Sequence, residues 1–164
     1  MSKEKKTNAA RLLDREGVSY ELIPYLVDEH DLSAAHVAAS LGEDVKSVFK
    51  TIVLRGDKQG YLVCVVPGDS EVDLKRAAKA SGNKKVDPFP LKELLPLTGY
   101  IRGGCSPIGM KKHFPTYFDA SAEGQPFIYV SAGVRGLQLK VAPADLLRCC
   151  AAVYAPLTPD EHDS

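Results

Sequence analysis

The sequence has no long apolar run, no net charge and no Cys-x-x-Cys pair. Its longest apolar stretches, Ile52 to Leu54 and Tyr61 to Pro67, fall far short of the roughly 20 residues that span a bilayer. The first residues, Met1-Ser2-Lys3-Glu4-Lys5-Lys6, lack the apolar centre of a signal peptide, so no membrane partner and a cytoplasmic location are expected. Twenty-one basic residues balance twenty-one acidic ones, and no overall field draws such a chain onto nucleic acid. Cys64, Cys105, Cys149 and Cys150 have no zinc-type spacing, and His30, His36, His113 and His162 are scattered. These spacings argue against a bound metal, and a disulfide framework does not suit a cytosolic chain of this size. No βαβ repeat, internal repeat or low-complexity segment occurs. What remains is a chain of 164 residues, 45% apolar and 26% charged, long enough to bury one core without staples.

Periodicity and punctuation give its elements. Thr7 to Glu16 carries Leu12 and Leu13 and stops at Gly17, and Ser33 caps a helix that ends at Gly42. Asp73 caps Leu74 to Ser81, closed by Gly82; Leu91 to Leu97 forms a short helical piece after Pro90, and Pro143 opens a helix to Cys150. Strands are expected at Ser19 to Tyr25, Val48 to Arg55, Tyr61 to Pro67, Phe127 to Ser131 and Gly136 to Val141. The tail Thr158 to Ser164 is short and acidic and is expected to fray. Strands interleaved irregularly with helices indicate one α+β domain with a mixed, largely antiparallel sheet, over residues 1–164 with its core at about 7–156.

Three segments carry chemistry. Gly103-Gly104-Cys105-Ser106-Pro107-Ile108-Gly109 is backbone-shaping: glycine permits positive φ and close approach, and Pro107 extends Ser106. By itself it fits a structural turn as well as a site. Lys50 begins a strand that should be buried, where it either reaches solvent along its stem or holds an oxygen at a pocket mouth. Alternation places Lys50, Ile52 and Leu54 on one face and Phe49, Thr51 and Val53 on the other. Tyr129-Val130-Ser131-Ala132-Gly133, with Gly136 beyond, exposes backbone and one hydroxyl or makes a plain hairpin turn. Lys111-Lys112-His113 follows the glycine loop, where a lysine could hold a phosphate as a point charge. Lys75, Arg76, Lys79, Lys84 and Lys85 read as a solvated face.

Taken in order, Phe49-Lys50-Thr51, Asp73-Leu74-Lys75 with Ala77 and Lys79, the glycine loop with Lys111-Lys112, Tyr129-Val130-Ser131 and Arg135-Gly136-Leu137 resemble the YbaK/EbsC family. Its members are relatives of the editing domain inserted in bacterial prolyl-tRNA synthetase, and the similarity covers nearly the whole chain. The resemblance implies a curved sheet around a small pocket, flanked by helices, and an enzyme that clears cysteine wrongly attached to proline tRNA. It implies aminoacyl-tRNA as substrate, prolyl-tRNA synthetase as partner, no cofactor, and a reaction in which the substrate's own thiol attacks its ester. A deacylase for another small residue such as alanine, or a non-catalytic module binding tRNA 3′ ends or a synthetase, are the alternatives. By position, Lys50, Gly103, Gly104 and Ser131 would carry catalysis: Lys50 positions the 3′ end, the two glycine amides meet the carbonyl or ribose, and Ser131 binds near the amino acid. Tyr25, Thr51, Ser106, Pro107, Gly133 and Lys111 would bind substrate or shape the pocket. Two positions depart from the family pattern: Gln138 stands where an acidic residue is common, and Cys105 where an apolar one is. Cys105 is expected to be a spectator.

Overall fold

The computed structural model describes residues 6–88 and 90–159. Thirteen helices and strands are present among them, and local sequence explains most. Helix α1 (Asn8–Arg15) starts where Thr7 Oγ1 accepts the Ala10 N–H at 3.2 Å and turns Ala9, Ala10 and Leu13 inward. Strand β1 (Tyr20–Pro24) follows. Helix α2 (Ala34–Leu41) is capped by Ser33 Oγ, which accepts the His36 N–H at 3.2 Å, and stops at Gly42 with φ +69°. Strands β2 (Phe49–Gly56) and β3 (Tyr61–Pro67) form the expected hairpin, from Phe49 opposite Pro67 to Arg55 opposite Tyr61. Asp73 then caps α3 (Leu74–Ser81) by accepting the Lys75 and Arg76 N–H groups.

Strand β4 (Val86–Pro88) follows, and the helical piece expected at Leu91 to Leu97 is two pieces, a 3-10 turn at Leu91–Glu93 and helix α4 (Leu94–Thr98). Strands β5 (Thr116–Asp119), β6 (Ile128–Ser131) and β7 (Leu137–Val141) precede helix α5 (Pro143–Cys150) and strand β8 (Val153–Ala155). The tail expected to fray from Thr158 is anchored at its start: Asp119 Oδ1 accepts the Leu157 N–H at 2.9 Å and the Thr158 hydroxyl at 3.3 Å. The remainder of that expectation, residues 160–164, lies outside the described residues.

The architecture is α+β, with the strands in two sheets. An antiparallel sheet has the order β1-β7-β6, and a five-stranded mixed sheet has the order β4-β2-β3-β5-β8, parallel at β3–β5 and β5–β8. A single parallel bridge between Val48 and Tyr129 joins them. From that joint the sheets part. One face of β2 and β3, with Phe49, Val53, Val63 and Val65, packs towards Val130, Leu139 and Phe118 in the largest core cluster. The other face, with Ile52, Leu54, Cys64 and Val66, packs on Ala77 and Ala78 of α3 and on Leu157. No helix of the described residues is long and apolar enough to cross a membrane.

Candidate active site

A cavity of about 680 Å³ opens where the two sheets part. Phe49, Lys50, Thr51, Ile52 and Val53, five consecutive residues of β2, all line it. A cavity lying on a sheet face would touch only alternate residues, so this one meets the strand edge-on. The pairing explains why. On the side away from β3, β4 covers β2 only from Leu54 to Gly56, and the bridge to β6 touches only Val48. Between them no strand of the described residues pairs with that edge.

Hydrogen bonds show which main-chain groups face the gap. Gly56 N–H donates to Gly60 O, and Gly68 N–H donates to Val48 O, so even-numbered residues of β2 turn their polar groups towards β3. Asp57 N–H donates to Lys85 O, on the opposite side. By strand alternation the N–H and C=O of Thr51 point into the cavity. Its side chain faces the other way round the pleat from Lys50, into the space beneath β6 and β7.

The cavity brings together Tyr25, Lys50, Thr51, Gly103 and Ser131 from four separate stretches of chain. Lys50 is half-buried and its Nζ lies 3.4 Å from Oε1 of Glu71, a residue almost fully exposed. Ser131 is 8% exposed; its Oγ accepts the Gly133 N–H at 3.1 Å, which leaves the hydroxyl proton free to donate. No histidine or carboxylate among the described residues bonds to it.

The glycine loop divides by role. Gly103 lines the cavity at φ +83°, and its main chain is the corner of a turn closed by Gly104 N–H donating to Ile101 O at 2.9 Å. The Gly104 amide is therefore committed inside the protein, whereas that of Gly103 has no acceptor among the described residues. Ser106 is fully buried and its Oγ accepts the Ile108 N–H at 3.3 Å. Pro107 is buried too, and its carbonyl accepts the Cys150 thiol at 3.5 Å on the far side of the loop. Gly133, at φ +107°, makes room for the Tyr100 ring: a Cβ there would lie 3.0 Å from Tyr100 Cε1. Lys111 is exposed and packs its stem against Gly99. Gly104, Ser106, Pro107, Gly133 and Lys111 thus lie outside the cavity wall, and the first four shape the loops behind it.

Sequence reasoning did not single out His30, Leu32, Leu91 or Arg102, which also line the cavity, nor a binding role for Gln138. Arg102 is exposed, adjoins Gly103 and has its carbonyl held by Arg135 Nε at 2.9 Å. Gln138 is 5% exposed, opposite Ser131 on β6 and Ile23 on β1. A polar residue flanked by two buried leucines, Leu137 and Leu139, was the available signal.

Thr51 Oγ1 and Gln138 Oε1 are buried without a hydrogen-bond partner among the described residues. An unmet buried polar atom costs about 1–3 kcal/mol, and both atoms belong to residues that line the cavity. Burial pushes the Cys105 thiol, also in the wall, up to about 12, so at neutral pH it is a protonated thiol and no nucleophile. The interior is accordingly lined by uncharged groups. Lys50, Arg102, Asp31 and Glu71 place the charge at the rim. Among the described residues no group of three His, Cys, Asp or Glu side chains is placed to hold a metal ion.

The aminoacyl-tRNA editing domain family matches residues 28–149. EbsC of Enterococcus faecalis, by name a candidate Cys-tRNA(Pro)/Cys-tRNA(Cys) deacylase, is 49% identical over 96% of both chains. YwhH of Bacillus subtilis is 27% identical over 73% of this chain and 78% of its own. A crystal structure described as that of a candidate trans-editing enzyme for prolyl tRNA synthetase superposes with a TM-score of 0.81 over 95% of this chain and all of the other. At 24% identity that likeness speaks to the fold.

Proposed function

Because the chain belongs to the aminoacyl-tRNA editing domain family, we propose that it is a free-standing deacylase that removes cysteine wrongly esterified to proline tRNA. The domain would span the chain, with its core at about 7–156. The name of EbsC supports the substrate, and the cavity supports the chemistry. At about 680 Å³ it is far larger than one small amino acid and has room for an aminoacylated terminal nucleoside.

The observation that carries the mechanism is an uncharged interior that offers no activated nucleophile among the described residues: Cys105 is held as a thiol, and no base among them bonds to Ser131. The nucleophile then comes from the substrate. Its thiol sulfur attacks the ester carbonyl carbon; the C–S bond forms, the C–O bond to the ribose breaks, and the thiol proton goes to the departing ribose oxygen. The cyclic thiolactone that results opens in water to cysteine. Holding thiol and carbonyl in one small space supplies the acceleration. The Gly103 N–H and the Ser131 hydroxyl are the donors for the carbonyl oxygen as it gains charge, and Lys50 holds the 3′ end. Arg102 meets the backbone phosphate beyond it. Gly104, Ser106, Pro107 and Gly133 serve by holding those donors in place.

Selective clearing of cysteine from proline tRNA is the test, with alanine and serine esters run alongside. Cysteine released at least about tenfold faster than the others supports the reading; equal rates for alanine move it to another small residue. Because the name of EbsC covers two tRNAs, cysteine tRNA charged with cysteine belongs in the same panel. Tight binding of a non-hydrolysable aminoacyl-adenosine without any release would make the protein a binding module. The proposed partner, prolyl-tRNA synthetase, is tested by co-migration of protein, synthetase and tRNA in gel filtration; three separate peaks would count against it.

A further inference from the structure

Thr51 and Gln138 pose a question that the deacylation chemistry does not answer. Both residues line the cavity, from facing sheets, and each carries a buried polar atom with no partner among the described residues; Gln138 is 5% exposed. Gln138 Oε1 can only accept a hydrogen bond, whereas Thr51 Oγ1 can accept or donate. The missing ligand group therefore carries N–H or O–H protons and sits deep, beside Ser131, the register neighbour of Gln138.

An aminoacyl nucleoside offers three such groups near its ester. The side-chain thiol is a weak donor and must stay free to attack. The ribose hydroxyl belongs to the leaving end, which lies towards Lys50 at the rim. The α-amino group remains. As a primary amine it has a proton for each of the two oxygens, and no bulk beyond them.

We propose, resting on the deacylase reading above, that Thr51 and Gln138 recognise the primary α-amino group of the ester, so that an N-alkylated amino acid is refused. In an imino acid such as proline a ring carbon occupies one of the positions that a primary amine fills with a proton. The carbon presses on one of the two buried oxygens, and where the amine is neutral that oxygen is also left unmet. Correctly charged proline tRNA is thereby spared by a second criterion, separate from its lack of a thiol. A neutral amide is suited to this task, because it accepts from the amine in either protonation state.

The experiment pairs two esters, cysteinyl and N-methylcysteinyl, with four proteins: the unaltered chain, Thr51→Val, Gln138→Leu and Gln138→Glu. In the unaltered chain N-methylation should lower kcat/KM by about tenfold or more, the effect of one good hydrogen bond lost in a buried site. Thr51→Val and Gln138→Leu should each lose about tenfold on the cysteinyl ester and little more on N-methylation. Gln138→Glu keeps an acceptor and should keep the discrimination. Matching melting temperatures would show that the variants fold. The inference is overturned if N-methylation costs the unaltered chain nothing, or costs all four proteins the same factor. The same comparison, read as Kd with amide-linked cysteinyl and N-methylcysteinyl adenosine, does not depend on turnover. Discrimination there without release of either ester would sink the deacylase reading and leave amine recognition standing; no discrimination with normal release would do the reverse.

Discussion

Lys50 and Cys105 both line the cavity and differ in what a side chain there can contribute. Among the described residues the Lys50 ammonium is held only by an exposed carboxylate at 3.4 Å, and such a pair is worth about 0–1 kcal/mol, so a substrate anion can displace Glu71 at little cost. Lys50→Ala should lower deacylation at least about tenfold while moving the melting temperature little. Cys105→Ala should change the rate by less than about threefold; loss of activity there with Lys50→Ala active would defeat the substrate-thiol mechanism. Burial also raises Cys64 and Cys150 to about 12 from an ordinary thiol value of 9.0. Between those values the native state holds protons that the unfolded state has released, so the slope of unfolding free energy with pH is negative. Stability from these three thiols is therefore complete below pH 9 and declines as pH rises towards 12. Urea titrations between pH 7 and 10 should show the midpoint falling above pH 9, and less so when Cys64 or Cys150 is replaced by alanine and compared with its own neutral-pH value.

Elements with a local signal were legible in the sequence. Helices α1, α2 and α3 each begin at a side-chain cap and end at or next to a glycine, and the β2–β3 hairpin has two long β-branched runs around its loop. Asp73→Ala should cost about 1 kcal/mol, read as a lower urea midpoint. Strands β4, β5 and β8 were not legible. They are three or four residues long, and β5 and β8 exist through parallel partners distant in sequence. The division into two sheets was hidden for the same reason, since it turns on one bridge, Val48 to Tyr129. Within the site, Lys50 and Gly103 stood out because their residue types are unusual for their places. Ser106 and Pro107 stood out equally, yet the structure uses them to build the loop. Gln138 was inconspicuous because a polar residue inside a strand ordinarily faces water. At Gly103 conformation and space agree: φ is +83° and a Cβ would lie 3.2 Å from Arg135 Nε. Gly103→Ala should cost about 1–2 kcal/mol and displace the free amide. A fall in kcat larger than the rise in KM would place that amide at the transition state.

For the whole molecule, the balance of 21 basic and 21 acidic residues sets how it meets a polyanion. With phosphate contacts confined to Lys50 and Arg102 at one rim, log affinity for tRNA should fall with log salt with a slope of only about −1 to −2. Fluorescence anisotropy across a salt series measures it, and Arg102→Ala should flatten it by about one. A steep slope would reveal a basic face elsewhere. Capture of tRNA would otherwise fall to the synthetase, whose addition should raise deacylation at low enzyme concentration.

The unpaired edge of β2 has a bearing on engineering. Each backbone hydrogen bond missing between Val48 and Leu54 is stabilisation that a redesigned sheet could recover by zipping β6 further along β2. Every such gain would close the gap that admits the ester. Selection for heat resistance alone should therefore drift towards a sturdier and inactive protein, and thermostable active variants should carry their changes in α3, α5 or the outer strands.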